Sequence, residues 1–322
     1  MSNDEMMKAI RRERLGGPEV LRIASVAVPS VGPSQVLVRV EATSLNPTDW
    51  VHRRVAGFLG DGPKVLRWDV AGVVVRVGLG VTVHRVGDRV VGMLPYPFGH
   101  GAAAEYVRAP ARALVSTPAV LASADAAAVP LVGLTAWQAL VDTAGVQPTN
   151  RVLVHAAAGG VGHMAVQIAK AHGAYVIGTA SASNHALVRD LGADEVIDYR
   201  TTRLVEAVEN IDIALDTVGG DTAARSLQVT RSGGAIVSLS LNSTTPLGEI
   251  AQRRGVRHEL MLVESDREGL TQLMRLVEAG RLRPVVDRQV ALFGIDAVRE
   301  AHVYGDAGHV AGKIILRAES AA

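Results

Sequence analysis

Cysteine is absent from the 322 residues of this chain, and its absence excludes several kinds of chemistry. Without cysteine there can be no disulfide, no thiolate metal site and no cysteine nucleophile. Concentrated basic charge is also missing, because 33 Lys and Arg balance 32 Asp and Glu and no Lys/Arg block interrupts them. Such a block would indicate nucleic acid or an anionic membrane surface. We therefore expect neither among the partners of this chain.

Long apolar runs and a secretory signal are not evident either. No run approaches the roughly 20 apolar residues of a membrane span. Residues 1–14 are polar and charged, whereas a secretory signal has an apolar core. The expected location is therefore the cytoplasm. Hydrophobic residues make up 48% of the chain, enough for a sizeable core, and the length favours two domains.

The first part of the chain, to about Thr117, is punctuated by glycine and carries short valine-rich runs at 36–40, 73–77 and 90–93. Short strands bounded by Gly, Pro and Asp predict a compact antiparallel barrel or sandwich. The tail from Pro284, after an amphipathic helix at 268–278, returns to short strands that end at 313–316. We expect this tail to pack back onto the first part.

Between these two regions, predicted strands and helices alternate. The strands are predicted at 151–155, 175–179, 195–197, 211–216, 235–239 and 258–263, and the helices at 161–172, 184–191 and 222–227. Alternation of this kind is typical of α/β proteins with a doubly wound parallel sheet.

A glycine-rich turn joins the first of these strands to the first helix. It reads Ala157-x-Gly159-x-x-Gly162, a variant of the dinucleotide fingerprint with alanine at the first glycine position. The free N–H groups and positive dipole end of a helix N-terminus favour a phosphate. A turn that needs small residues only for packing is the alternative. The strand–turn–helix context favours a dinucleotide held by Ala158, Gly159, Gly160, Val161 and Gly162.

The end of the second strand favours NADP(H) over NAD(H). NAD sites usually place an acid about 20 residues after the glycines, yet residues 178–185 hold none, and the first acid after Gly159 is Asp190. Ser181, His185 and Tyr199 can donate hydrogen bonds to a 2′-phosphate, although each could equally be a solvated loop residue. The predicted cofactor contacts are completed by Val218, Leu239 and Lys313.

Taken together, these motifs resemble those of a known family. HAAAGGVG at 155–162, with PLxGLTAW at 130–137, is similar to the zinc-free, zeta-crystallin-like quinone oxidoreductase branch of the medium-chain dehydrogenase/reductases. GGPEVL at 16–21 resembles the family's opening, NPTD at 46–49 its first active-site loop, and VGDRV at 86–90 its barrel turn. The resemblance covers nearly the whole chain.

This resemblance implies a domain arrangement. A GroES-like catalytic domain would comprise residues 1–124 and 264–322, and a Rossmann NADP-binding domain would comprise residues 125–263. The cofactor cleft would lie where they meet. The family also implies homodimers, often paired through the last strands of the Rossmann sheet, which here include 258–263.

The resemblance also bears on metal binding, because zinc-dependent relatives use a cysteine and a histidine at two positions that Asn46 and Trp68 occupy here. An amide and an indole do not make a zinc site, so we predict no metal. Without a Lewis acid, oxidation of a simple alcohol is hard to support. Reduction of a quinone or an α,β-unsaturated carbonyl compound needs only a positioned acceptor and hydrogen bonds to the developing oxyanion.

Three residues are predicted to act on the small-molecule substrate. Asn46 would position it and contact the oxyanion, Thr135 would line the nicotinamide pocket, and Trp68 would form an apolar wall. Asn46 precedes a proline and could instead only initiate a turn. Asp49 could equally be a helix cap.

Other questions stay open at the level of sequence. Val51 stands where relatives often have a tyrosine proton donor, and His52, Tyr96 or water could replace it. Two further functions compete with a quinone or enone reductase. One is an enoyl reductase of polyketide or secondary metabolism, and the other is a non-catalytic NADPH-binding redox sensor.

Overall fold

The computed structural model describes residues 5–97, 101–240 and 247–319. They form two compact units. The β-rich unit comprises Met1–Leu131, Glu264–Glu278 and Pro284–Ala322, and the nucleotide unit comprises Val132–Val263 and Ala279–Arg283.

The division between the units differs in two places from the expected domains. It falls between Leu131 and Val132 rather than after residue 124, because the backbone N–H of Leu131 donates to the Asp69 carboxylate at 2.7 Å. Residues 279–283 belong to the nucleotide unit rather than to the catalytic domain. There the backbone N–H of Arg283 donates to Gln167 Oε1 at 2.9 Å.

The strands are β1 (Met6–Arg12), β2 (Leu21–Ala27), β3 (Gln35–Leu45), β4 (Lys64–Val65), β5 (Asp69–Val77), β6 (Arg89–Met93), β7 (Tyr106–Pro110), β8 (Leu114–Ser116), β9 (Arg151–Val154), β10 (Tyr175–Ala180), β11 (Glu195–Asp198), β12 (Ile211–Asp216), β13 (Thr230–Ser238), β14 (Arg257–Leu260), β15 (Val286–Ala291) and β16 (Lys313–Arg317). The α-helices are α1 (Pro47–Arg54), α2 (Ser123–Ala126), α3 (Pro130–Trp137), α4 (Gly160–Ala171), α5 (His185–Asp190), α6 (Leu204–Ala207), α7 (Thr222–Val229), α8 (Leu247–Arg253), α9 (Arg267–Glu278) and α10 (Ile295–Asp306).

The β-rich unit is organised around β3, which is 11 residues long and mostly buried. Its sheet runs β15-β16-β3-β5-β6-β8, with β7 also paired to β3. The antiparallel pairing of β16 with β3 aligns Ile314 with Leu45 and confirms that the tail packs back onto the first part. This pairing brings the start of β16 beside the end of β3, where the first active-site loop begins.

The tail is not built of strands alone, as the sequence pattern suggested. It also contains the 12-residue helix α10, whose buried positions are Val298, Ala301, His302 and Gly305. Two of these four residues are a histidine and a glycine, so the helix carries a weak apolar stripe although its spacing is helical. The hydrophobic pattern of residues 295–306 therefore does not predict this helix.

The nucleotide unit holds a six-stranded parallel sheet in the order β11-β10-β9-β12-β13-β14, which confirms the doubly wound prediction. Successive strands are added toward one edge from β9 to β11 and toward the other edge from β12 to β14, so the strand order reverses between β9 and β12. Ligands of such sheets bind beyond the carboxyl ends of the strands at this switch point. β13 begins at Thr230, five residues before the predicted start at 235. Gly233 and Gly234 interrupt its apolar pattern, and the register with β12 shifts between Ile211 and Ile213.

One helical stretch is more apolar than expected. Ser123–Thr143, which includes α2 and α3, is long and apolar enough to cross a membrane, with a mean hydropathy of 1.3. The prediction that no apolar segment approaches the length of a membrane span is therefore wrong as regards length and composition. Of its most apolar window, 78% is buried inside the protein, as in the core helix of a soluble fold.

Candidate functional site

The glycine turn lies where the sequence predicted it, between the end of β9 and the start of α4. Gly159 is the N-cap of α4 in an extended conformation, and no side chain caps this end. The first N–H groups of a helix have no intrahelical acceptor. The N–H groups of Gly160, Val161 and Gly162 are therefore available to a phosphate. Ala158, which precedes them in the turn, is buried, with 5% of its surface exposed.

Gly162 allows the helix to approach the turn closely. A Cβ atom at this position would lie 2.1 Å from the Ala156 carbonyl oxygen and 2.7 Å from Ala157 Cα, so no side chain fits. At Gly159 the nearest atom to such a Cβ would be the same oxygen at 3.2 Å. The turn therefore needs glycine at 162 for packing. This geometry fits a dinucleotide pyrophosphate.

The residues predicted to contact the 2′-phosphate lie at two neighbouring strand ends. Ser181 follows β10 and Tyr199 follows β11, and these strands pair in parallel with Ala180 beside Asp198. Ser181 Oγ lies 3.1 Å from Ser183 Oγ, and His185 Nε2 lies 3.3 Å from the Ala180 carbonyl oxygen. These polar groups are partly or largely exposed, so they can reorient toward an anion.

Arg200 adds a positive charge that the sequence argument missed. Its guanidinium carbon lies 5.6 Å from the centre of the Tyr199 ring, and its side chain is exposed. An arginine is a strong ligand for a phosphate group. It lies two residues past the end of β11, a position that the dinucleotide fingerprint does not specify, so the sequence pattern gives no signal for it.

The other predicted cofactor residues of the nucleotide unit lie near the same edge of its sheet. Val218 follows β12 and is 56% exposed, and its N–H donates to Asp216 Oδ1 at 3.0 Å. Leu239 follows β13, and its N–H donates to the Asp216 carbonyl at 3.0 Å. Thr135 lies on α3 and is 6% exposed. Val218 and Leu239 occupy strand ends at which nucleotides bind in this class of sheet.

The β-rich unit contains a second candidate group, centred on the start of α1. Asn46 is the N-cap of this helix and Pro47 its first residue, as helix N-termini favour. The Asn46 backbone N–H donates to Asp49 Oδ2 at 2.8 Å. Asp49 therefore caps the N-terminus of α1, and Asn46 is the residue at which this helix begins.

The Asn46 side chain is completely buried and bonded at both ends. Its Nδ2 donates to Asp69 Oδ2 at 2.7 Å, and its Oδ1 accepts from Lys313 Nζ. Lys313 Nζ also donates to the Leu45 carbonyl at 2.8 Å and lies 3.7 Å from Asp69 Oδ2. These contacts suit a positioning role. The predicted oxyanion contact of Asn46 stays a prediction.

Lys313 was expected among the cofactor ligands, but its ammonium is bonded within the β-rich unit and is 2% exposed. Burial lowers its pKa, and the nearby carboxylates of Asp69 and Asp49 act against that effect. Asp69 also accepts hydrogen bonds from Ser44 Oγ and from the Leu131 backbone N–H. The pairing of these groups was not readable from sequence, because 244 positions separate Asp69 from Lys313 in the chain.

A second ion pair lies beside the first. Arg67 NH1 is 3.7 Å from Asp49 Oδ1, and both side chains are buried. Burial raises the pKa of Asp49 to about 6, while Arg67, the Asn46 backbone N–H and Lys313 act to lower it. Both terminal nitrogens of Arg67 lie 3.4 Å from His302 Nε2. Burial, followed by the charge of Arg67, lowers the pKa of His302 well below its ordinary value, so this histidine is neutral.

Trp68 lines a cavity of about 190 Å³ in the β-rich unit, together with Phe58, Leu59, Lys64, Val65, Pro97 and Gly101. The Trp68 ring is 4% exposed and meets Tyr96 edge-on, with the centroids 5.0 Å apart. A cavity with an aromatic wall can hold the ring of a small organic molecule. The role of Trp68 as the wall of a substrate pocket stays a prediction.

Within 5–97, 101–240 and 247–319, no group of three or more His, Asp or Glu side chains could hold a metal ion.

Two family models match the chain. Residues 32–119 match the alcohol dehydrogenase GroES-like domain, and residues 191–316 match a domain described as zinc-binding dehydrogenase. The 2-methylene-furan-3-one reductase of Solanum lycopersicum is 35% identical over 96% of this chain and 79% of its own length. The NADPH-dependent alkenal/one oxidoreductase of Arabidopsis thaliana chloroplasts is 34% identical, with the same two coverages.

The structure of the quinone oxidoreductase from Coxiella burnetii is also similar, with a TM-score of 0.90 and 34% identity over 98% of this chain and all of that one. The chain belongs to the quinone oxidoreductase branch of the medium-chain dehydrogenase/reductases. It is an oxidoreductase, and the resemblance stated from its motifs is confirmed.

Proposed function

We propose that this oxidoreductase is NADPH-dependent and zinc-independent, and that it reduces quinones or α,β-unsaturated carbonyl compounds. The observation that carries the proposal is the Asn46–Lys313–Asp69 cluster, a closed set of hydrogen bonds at the position where zinc-dependent members bind their metal. The named substrates of similar proteins, an enal or enone and a quinone, are electron-poor acceptors of this kind.

The cofactor supplies the hydride when it is bound. The N–H groups at the start of α4 would hold the pyrophosphate, and Ser181, His185, Tyr199 and Arg200 would surround the 2′-phosphate. No acidic side chain intervenes between Gly159 and Asp190 to repel that group. These features support NADPH over NADH.

The absence of a zinc requirement is supported by charge as well as by ligand type. The ammonium of Lys313 donates to Asn46 Oδ1 and lies 3.7 Å from Asp69 Oδ2. A divalent cation at the same place would face this positive charge, and the Asp69 carboxylate there already accepts hydrogen bonds from Asn46, Ser44 and the Leu131 backbone. Zinc sites are usually completed by thiolates or imidazoles, and Asn46 and Trp68 stand at the positions that supply them in zinc-dependent relatives.

In the β-rich unit the residues have separate tasks. Trp68 would present its apolar ring to the acceptor. Asn46 and Asp49 fix the start of α1, and Lys313 supplies fixed positive charge nearby. Preorganised charge of this kind stabilises a developing oxyanion without reorganisation during the reaction.

The proposal is tested by following NADPH oxidation with a panel of acceptors: 2-cyclohexenone, a short enal, a one-ring quinone and an enoyl thioester. We expect turnover of the enone, enal or quinone and a preference for NADPH over NADH. Turnover of the thioester alone would identify a pathway enoyl reductase instead. No turnover of any acceptor would favour a redox sensor.

We also propose a homodimer, formed through the edge of the nucleotide unit's sheet. β14 pairs on one side with β13 and is the last strand of that sheet. Leu260 and Leu262 near this edge are 55% and 56% exposed. An uncovered strand with apolar side chains is a site for pairing with a second copy. Light scattering of the wild type and of Leu260→Lys would test it, with dimer expected for the first and monomer for the second.

A further inference from the structure

Within the proposed reduction, the hydride leaves a negative charge on the acceptor, which must then take up a proton. The family position for a tyrosine donor is Val51, whose side chain is 42% exposed and has no proton to give. The proton must therefore come from another residue or from water.

Two titratable side chains meet beside the Trp68 cavity. Tyr96 Oη lies 3.0 Å from His52 Nε2, and both rings pack against Trp68, at 5.0 and 5.8 Å between centroids. Tyr96 also immediately precedes Pro97, which lines the cavity. His52 is 3% exposed, whereas Tyr96 is partly exposed. Tyr96 is thus the outer member of the pair and His52 the inner one.

The backbone at Gly57 lies close to the His52 ring on the side away from Tyr96 and restrains it there. Gly57 has a φ of +46°, and a Cβ there would lie 2.9 Å from His52 Cε1 and 3.0 Å from Nδ1. Burial and then the charge of Arg12 lower the pKa of His52, against an opposing influence of the Ala56 carbonyl, so the ring is neutral. Nδ1 makes no hydrogen bond of ordinary geometry within residues 5–97, 101–240 and 247–319, although the Ala56 carbonyl is near enough to raise the pKa of the ring.

Hydrogen-bond geometry favours one tautomer of this ring. Buried polar groups are normally hydrogen-bonded, and Nε2 has the one hydrogen bond of ordinary geometry, so we place the single proton of the neutral ring there. The Nε2–H then donates to Tyr96 Oη, and the phenolic proton is free to point away from His52. A tyrosine hydroxyl can accept one hydrogen bond and donate another in this way.

We propose that Tyr96 is the proton donor of the reaction and that His52 is its positioning residue, and this inference rests on the proposed function. The hydride forms a C–H bond at the β-carbon, and the C=C π pair shifts so that negative charge collects on the carbonyl oxygen. The Tyr96 O–H bond breaks as its proton passes to that oxygen, giving the enol, which tautomerises to the saturated ketone. The His52 Nε2–H stabilises the phenolate until water returns its proton.

The volume of the cavity guides the choice of a probe for Tyr96. At about 190 Å³ it has room for a single six-membered ring against Trp68. This makes 2-cyclohexenone the appropriate probe.

The decisive experiment compares NADPH-dependent reduction of 2-cyclohexenone by the wild type, Tyr96→Phe and the matched control Tyr106→Phe. General acid catalysis contributes roughly 100-fold or more. We expect kcat to fall about 100-fold in Tyr96→Phe, with KM within twofold, and both to be unchanged in Tyr106→Phe. A kcat for Tyr96→Phe within threefold of the wild-type value would overturn the inference while leaving the proposed function intact. Failure of the wild type itself to oxidise NADPH would instead overturn the proposed function.

Two further variants keep the test decisive if Tyr96→Phe does not fold. His52→Gln retains a side-chain N–H donor, whereas His52→Leu has none. We expect His52→Gln to keep at least a fifth of the wild-type kcat and His52→Leu to lose more than 90% of it, with KM unchanged in both. Equal kcat values for the two variants would contradict the positioning role.

A binding measurement without NADPH locates the probe. Quenching of tryptophan fluorescence by 2-cyclohexenone should be largely lost in Trp68→Phe and retained in Trp137→Phe. It should persist with a similar Kd in Tyr96→Phe, because the phenol acts on the proton and not on the shape of the cavity. Quenching that survives in Trp68→Phe would place the acceptor elsewhere and overturn the assignment.

Discussion

The two candidate groups of this protein are built in opposite ways. In the β-rich unit, Asn46, Asp69 and Lys313 are completely or nearly completely buried and bonded to one another. At the strand ends of the nucleotide unit, Ser181, Tyr199 and Arg200 are partly or largely exposed and loosely held. One group is fixed by folding, and the other can be ordered by an anionic ligand.

This contrast has an energetic consequence. A buried charge that loses its partner keeps its desolvation cost, whereas an exposed charge returns to water. Changes in the β-rich group should therefore affect stability, and changes at the strand ends should affect nucleotide affinity alone. The following predictions test that separation, from the largest expected effect to the smallest.

Removal of the Lys313 charge should have the largest effect. Lys313→Met leaves Asp69 buried without its cation, which costs roughly 3–5 kcal/mol of unfolding free energy. Urea denaturation measures it. The matched control is Lys170→Met, because Lys170 pairs with Asp194 at 2.9 Å near the surface and should cost about 1 kcal/mol or less. Equal losses in the two variants would remove the distinction between the groups.

Gly162→Ala should disrupt the glycine turn. The added Cβ would meet the Ala156 carbonyl at 2.1 Å, so the turn or α4 must move. We expect the Kd for NADPH, measured by isothermal titration calorimetry, to rise at least 100-fold. Gly159→Ala, with a nearest contact of 3.2 Å, should raise it less than tenfold. Similar Kd values for the two variants would show that the close approach at 162 does not shape the site.

The pH dependence of stability should report Asp49. Its pKa is raised to about 6 in the folded state from an ordinary value of 3.8. Between these values the folded chain holds a proton that the unfolded chain has released, so this contribution to stability falls as pH rises. From pH 5 to pH 8 the wild type should lose about 1.4 kcal/mol of unfolding free energy relative to Asp49→Asn. Parallel stability curves for the two proteins would show that Asp49 does not titrate in this range.

Arg200→Gln should have the smallest effect and the most selective one. An exposed arginine near a phosphate contributes on the order of 1 kcal/mol, so the Kd for NADPH should rise about fivefold while that for NADH stays constant. Arg203→Gln is the matched control, because Arg203 is exposed and pairs with Glu206 at 2.8 Å. A parallel loss of NADH affinity in Arg200→Gln would contradict a role at the 2′-phosphate.

The same contrast explains what could be predicted from sequence. The parallel sheet, the glycine turn and the strand-end positions of Ser181 and Tyr199 follow from local periodicity and short spacings. The Asp69–Lys313 pair and the His302–Arg67 contact join residues more than 200 positions apart, and no local pattern connects them. Helix α10 was missed because His302 and Gly305 occupy its buried face.

The central claim is that fixed protein charge, and not a metal, stands beside Asn46. Zinc content and NADPH-dependent turnover of 2-cyclohexenone should be measured on the same sample, before and after dialysis against a chelator. The account predicts less than about 0.1 equivalent of zinc and an unchanged kcat, because the Lys313 ammonium already occupies that environment. A full equivalent of zinc, with activity lost on its removal and restored on its return, would contradict it.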